Sequence, residues 1–123
     1  MSEIINFNET NLGTVEIAPE VIQLIAGIAT SEVAGVVSIN GGVVSDLNQL
    51  FRRKNIYRGI AVHLNDELKI EMSITVEYGN RIPDLAREVQ EKVKNAVESM
   101  TGLQVEQILV RVEGVRLPPE STE

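Results

Sequence analysis

The sequence predicts an α+β fold: a mixed β-sheet in the order β-α-β, short α, β-β-α-β, with two main helices packed on the sheet. Three observations predict it. Leu68, Ile70, Met72, Ile74, Val76 and Tyr78 alternate with Lys69, Glu71, Ser73, Thr75 and Glu77. Strict period two over eleven residues is the mark of a half-buried strand. Two other stretches carry apolar residues at helical spacing, and each opens on a proline followed by an acid, Pro19-Glu20 and Pro83-Asp84. That pair suits the first turn of a helix and the positive end of its dipole. Finally, 123 residues with 43% hydrophobic content suit one domain with a core of its own.

Residues 1–11 are polar, with scattered Ile4, Ile5 and Phe7, and read as a flexible N-terminal arm. Residues 12–117 form the single domain and 118–123 a short acidic tail. The first strand covers roughly Gly13–Ala18, where Val15 and Ile17 alternate with Thr14 and Glu16. Val21, Leu24, Ile25 and Ile28 then recur at helical spacing, widened by Ile22 and Ala29, so this helix is well buried. Gly35 ends the stretch before the short apolar strand Val36-Val37-Ser38-Ile39. After the turn Asn40-Gly41-Gly42, Ser45 is placed to cap a short helix with Val44, Leu47, Leu50 and Phe51 on one face.

Ile60, Val62 and Leu64 form a second alternating run, which pairs with the Leu68 run as a hairpin. Parity fixes its loop. Both apolar sets face one side only if Leu64 sits opposite Leu68, leaving Asn65-Asp66-Glu67 as the loop. The second main helix has Ile82, Leu85, Ala86, Val89, Val93, Ala96, Val97 and Met100 at its apolar positions and stops at Gly102. Its outer face offers the ion pairs Glu88–Lys92, Glu91–Lys94 and Lys94–Glu98. In the last strand Ile108, Val110 and Val112 point inward. Leu103 and Val105 have the opposite parity, which calls for a bulge or a strand start near Glu106. Each long helix is expected to cross between strands.

Composition narrows the chemistry. Without cysteine there is no disulfide, thiolate metal site or thiol nucleophile, which fits the cytoplasm. Met1-Ser2-Glu3-Ile4 lacks the basic start and apolar run of a signal peptide, and no stretch approaches the roughly 20 apolar residues of a membrane helix. A net charge of −7 repels phosphate backbones, so neither nucleic acid nor an anionic membrane is expected as a general partner.

No constellation of catalytic groups emerges. His63 is the only histidine, and its parity puts it on the polar side of the hairpin opposite Lys69, near Glu71. A flat sheet surface is a poor place for a general base, which needs a substrate pocket. No cluster has metal-ligand spacing, Gly41-Gly42 lacks the rest of a phosphate-binding motif, and no cofactor is implied. The polar face of the best strand carries none of the aromatics an RNA-binding sheet uses for stacking. One basic cluster stands out: Arg52, Arg53, Lys54 and Arg58, with Tyr57 among them and no acid between Asp46 and Asp66. It is either a solvated segment or a contact for an anionic partner, an acidic protein surface included.

Several motifs resemble the alkaline shock protein 23 family, also called the Gls general-stress family. In the first half they are Gly13-x-Val15-x-Ile17-Ala18-x-x-Val21-Ile22, Ala29 and Gly35-Val36. In the second they are Val76-x-Tyr78-Gly79-x-x-Ile82, Val89-Gln90-x-x-Val93, Met100-Thr101-Gly102-Leu103-x-Val105 and Val110-x-Val112-x-Gly114-Val115. Order and spacing carry the resemblance over about residues 12–116. It implies an envelope-stress protein of Gram-positive bacteria that works through protein partners. Those implied are a second copy, a membrane-anchored protein or, by similarity to the short YqhY group, acetyl-CoA carboxylase and hence fatty-acid synthesis. It implies no catalytic residues and a cytoplasmic location, membrane-proximal only through a partner.

Overall fold

A computed structural model describes residues 5–10, 12–39 and 59–118. Its elements are β1 (Ile5–Thr10), β2 (Gly13–Ile17), α1 (Pro19–Ser31), β3 (Val36–Ile39), β4 (Ile60–Leu64), β5 (Leu68–Glu77), α2 (Ile82–Thr101) and β6 (Val105–Arg116). The short helix expected from Ser45, the Gly41-Gly42 turn, the cluster Arg52, Arg53, Lys54 and Arg58, and most of the acidic tail lie outside the described residues.

The predicted alternation of β5 organises the sheet. Leu68, Ile70, Met72, Ile74 and Val76 are all buried, and Lys69, Glu71, Ser73, Thr75 and Glu77 face the other way. Five such side chains contribute on the order of 10 kcal/mol, an upper bound because an unfolded chain is already partly collapsed. β4 pairs antiparallel with β5 in the expected register, Leu64 opposite Leu68 and His63 opposite Lys69, with Asn65-Asp66-Glu67 as the loop. β3 is also antiparallel to β5, while β6 is parallel to it from Leu68 to Glu77. The sheet is therefore mixed. The irregularity expected near Glu106 is present: Val105 pairs with Leu68 and Gln107 with Lys69, so Glu106 is the extra residue of a bulge.

α2 makes the crossover that a parallel β5–β6 pair requires. Leu85, Val89, Val93 and Val97 form its buried stripe. Its end is well specified. Gly102 adopts the left-handed conformation at φ 79°, and its N–H donates to the Glu98 carbonyl at 2.9 Å. The buried Thr101 hydroxyl donates to the Val97 carbonyl and accepts from the Leu103 N–H. Of the helix ion pairs expected, Lys94–Glu98 forms at 2.6 Å, whereas Lys92 turns to Glu32, the C-cap of α1, at 4.0 Å.

Three expectations are corrected. Residues 5–10 are not a loose arm but a strand, β1, antiparallel to β2 with Ile5 opposite Ile17 and Phe7 opposite Val15. Asn6, Asn8 and Glu9 leave only Ile5 and Phe7 as an apolar alternation, too short to stand out. As a result β1 and β2 form a two-stranded sheet of their own. α1 therefore joins that ribbon to β3 instead of crossing between strands of one sheet. The buried face of α1 is also displaced. Ile22, Ile25, Ala26, Ala29 and Thr30 are inside, while Val21 and Ile28 are 44% and 38% exposed. With apolar residues on nearly every side, periodicity does not choose the face. In α2, likewise, Ile82 and Met100 lie on the surface.

Candidate interaction surfaces

The face of the sheet turned away from the helices is charged and internally paired. The Glu71 carboxylate lies between His63 Nε2 at 3.2 Å and Arg111 at 3.3 Å. Arg116 reaches Glu77 at 3.1 Å, and the Ser73 hydroxyl donates to Glu113 at 3.3 Å. These contacts link β4, β5 and β6 across their strands, as opposite charges on neighbouring strands do. His63 stands on this open surface, as its parity predicts, with Glu71 shared between it and Arg111. The hollow beside it, about 270 Å³, is lined by Lys69 and the hairpin residues Asn65, Asp66 and Glu67. Three of those four belong to an exposed turn. A general base needs a bound substrate sheltered from water, and this geometry offers an exposed imidazole on a flat sheet. Among the described residues no three His, Cys, Asp or Glu side chains gather into a metal-binding group.

The helical layer presents a different surface. Val21, Leu24 and Ile28 of α1 line a groove of about 340 Å³ with Ala96 and Met100 of α2. Met100 is 69% exposed. The one charged group in the lining is Glu32, held by Lys92 at the rim. Contiguous exposed apolar surface of this kind marks contact with another molecule more often than isolated surface leucines do. Sequence reasoning placed Val21, Leu24, Ile28 and Met100 inward and so missed the groove. The signal was the width of the α1 stripe: Val21, Ile22, Leu24, Ile25 and Ile28 span more of the helix than one buried face accommodates.

A second apolar hollow, about 410 Å³, lies at the far end of the sheet among Val76, Tyr78, Ile82 and Val115. Tyr78, Ile82 and Val115 are all exposed. Between these surfaces, α2 is fastened to β6. Gln90 Nε2 donates to the Ile108 carbonyl at 2.9 Å, and the Val105 N–H donates to Glu98 Oε2 at 2.9 Å. Hydrogen bonds from Lys94 and from the Val105 backbone hold the Glu98 carboxyl below its ordinary value. No helix of the described residues is long and apolar enough to cross a membrane.

Comparison with known proteins agrees with the motifs. Residues 7–117 match the model of a family described by a cell envelope-related function. The chain is 37% identical to the uncharacterized protein YqhY of Bacillus subtilis (strain 168) over 116 residues, covering 94% of this chain and 86% of that protein. To YloU of the same organism it is 35% identical over 111 residues, covering 88% and 92%. A stress response regulator gls24 homolog of Streptococcus pyogenes serotype M3 is 26% identical over 99 residues, 79% of this chain and 55% of the longer protein. With a family model spanning nearly the whole domain and relatives above 30% identity along most of their length, the chain belongs to the alkaline shock protein 23 family.

Proposed function

We propose that this protein is a non-enzymatic scaffold or regulator of the envelope-stress type, acting in the cytoplasm through self-association and contact with a protein partner. One observation carries the reading: the groove of Val21, Leu24, Ile28, Ala96 and Met100, an apolar surface on a domain whose other broad face is charged and paired with itself. The family's cell envelope-related description and the stress-regulator name of a relative support the biological setting. The partners to test first are a second copy, a membrane-anchored protein and acetyl-CoA carboxylase, the last by way of the YqhY-like resemblance.

Sedimentation of the full chain across a wide concentration range tests the self-association. The mass should rise with concentration in the wild type and stay monomeric in a Leu24→Glu, Met100→Glu variant, since charge placed in the groove opposes burial. A wild type that remains monomeric throughout removes self-association from the reading, and an unchanged rise in the variant removes the groove.

A second reading draws on charge: Arg52, Arg53, Lys54 and Arg58 as an anion- or nucleic-acid-binding segment. It requires salt-sensitive binding to RNA or to anionic vesicles that Arg53→Glu weakens. Affinity untouched by that substitution eliminates it.

A further inference from the structure

β3 and β4 occupy the same edge of β5. β6 takes the opposite edge along the whole span from Leu68 to Glu77, leaving one edge for both. β4 uses Leu68 to Met72 of it and β3 uses Ile74 to Val76. Both are antiparallel to β5, so they run in the same direction, one behind the other. Ile39, the last residue of β3, lies opposite Ile74, and Ile60, the first of β4, lies opposite Met72. Only Ser73 separates those two partners. A single residue between Ile39 and Ile60 would therefore complete an unbroken strand from Val36 to Leu64. The chain has the twenty residues 40–59 there.

We infer that β3 and β4 are two halves of one strand, and that residues 40–58 are an insertion at its break which the fold does not need. Side-chain parity agrees. Ile39 and Ile60 are 4% and 2% exposed and both belong to the core, so alternation continues across the break once one residue stands between them. Gly59, which precedes Ile60, is the residue in position to face Ser73. The helical layer spans the break too: α1 packs on both β3 and β4, and Gln23 Nε2 donates to the Ile60 carbonyl at 2.8 Å. The insertion carries Arg52, Arg53, Lys54 and Arg58 against the one acid Asp46. That makes it +3, so the rest of a chain of net −7 is −10. Fold and basic segment are thus separable, joined at two ends about two strand residues apart, or roughly 7 Å.

Three deletions in the full chain test this. Removing 40–58 leaves Gly59 alone between Ile39 and Ile60; removing 40–59 leaves nothing; removing 40–57 leaves Arg58-Gly59. Far-UV circular dichroism melts should rank them by register. The one-residue bridge should unfold cooperatively at or above the melting temperature of the full chain, because a long connection has been replaced by continuous strand. The two-residue bridge must place a bulge at the break and should melt lower. The zero-residue bridge sets Ile60 opposite Ser73, which turns Ile60, Val62 and Leu64 to the wrong face, and should melt lowest or fail to fold. A one-residue bridge that does not fold, or one that melts no higher than the zero-residue bridge, overturns the inference.

Discussion

Thr30 is fully buried in α1, and its hydroxyl donates to the thioether sulfur of Met72 on β5 at 3.2 Å. Sulfur is a weak acceptor, so the hydroxyl's burial is only partly offset. A double-mutant cycle turns this into numbers. Thr30→Val removes the hydroxyl and keeps the shape. It should change stability by less than about 1 kcal/mol, since a modest hydrogen bond and the desolvation of its donor disappear together. Met72→Leu is a near volume-conserving swap, costing under about 1.5 kcal/mol by itself. It also strands the Thr30 hydroxyl, at a further cost of about 1–3 kcal/mol, so the single variant should lose roughly 1–4 kcal/mol in all. The double variant keeps the swap and loses the stranded group, so it should be more stable than Met72→Leu alone by about 1–3 kcal/mol. Urea unfolding followed by far-UV circular dichroism suits a chain without tryptophan. If Met72→Leu proves no worse than the double variant, the hydroxyl does not depend on sulfur. It then turns to a carbonyl of its own helix, the usual recourse of a mid-helix threonine.

Gly35→Ala should destabilise by about 1–3 kcal/mol, because Gly35 sits at φ +100° and an added Cβ would meet the Asn80 side chain at 3.0 Å; a melting temperature within about 1 °C of wild type contradicts this. Glu98→Gln should weaken the α2–β6 fastening at neutral pH. The folded state holds the Glu98 carboxyl below its ordinary value of 4.5, so its contribution is fully present above that value and is lost as pH falls through the lower folded value. The gap between wild type and Glu98→Gln, read from urea melts, should therefore be constant from pH 7 to about 5 and narrow below 4.5. A gap that does not change with pH rules out the carboxylate as its origin.

The strands were the most legible part of the molecule, and the reason is geometric. Alternation at period two admits only two settings, and placing Leu64 opposite Leu68 selects between them; the observed register follows without further choice. On the same logic the opposed parities of Val105 and Ile108 called for a bulge or a strand start near Glu106, and the structure has the bulge. A helix admits more settings. In α2, the charges of Arg87, Glu88, Glu91 and Lys94 mark the outer face, and of the expected stripe Leu85, Val89, Val93 and Val97 are buried while its two ends, Ile82 and Met100, are exposed. In α1, apolar residues reach both faces, so sequence has no means of separating Ile22, which is buried, from Val21, which is not. The groove was lost with that choice. His63 was placed correctly because it rides on a strand whose register was certain. The family motifs succeeded for a different reason: they combine core positions such as Ile22, Val76, Val89 and Val93 with surface positions such as Val21, Tyr78, Ile82 and Met100, and their order and spacing carry the match rather than any one face.

A strand enclosed on both sides by segments from opposite parts of the chain also dictates an order of events during synthesis. β5 leaves the ribosome after β3 and β4, and the hairpin with β4 closes locally. Its other side stays bare until Val105–Arg116 has emerged and α2 has carried that segment across. Closing a distant parallel pair is the slow kind of step in assembly. The nascent chain therefore passes through a stage in which its central strand is half clothed, and the speed with which α2 forms determines how long that vulnerable stage lasts.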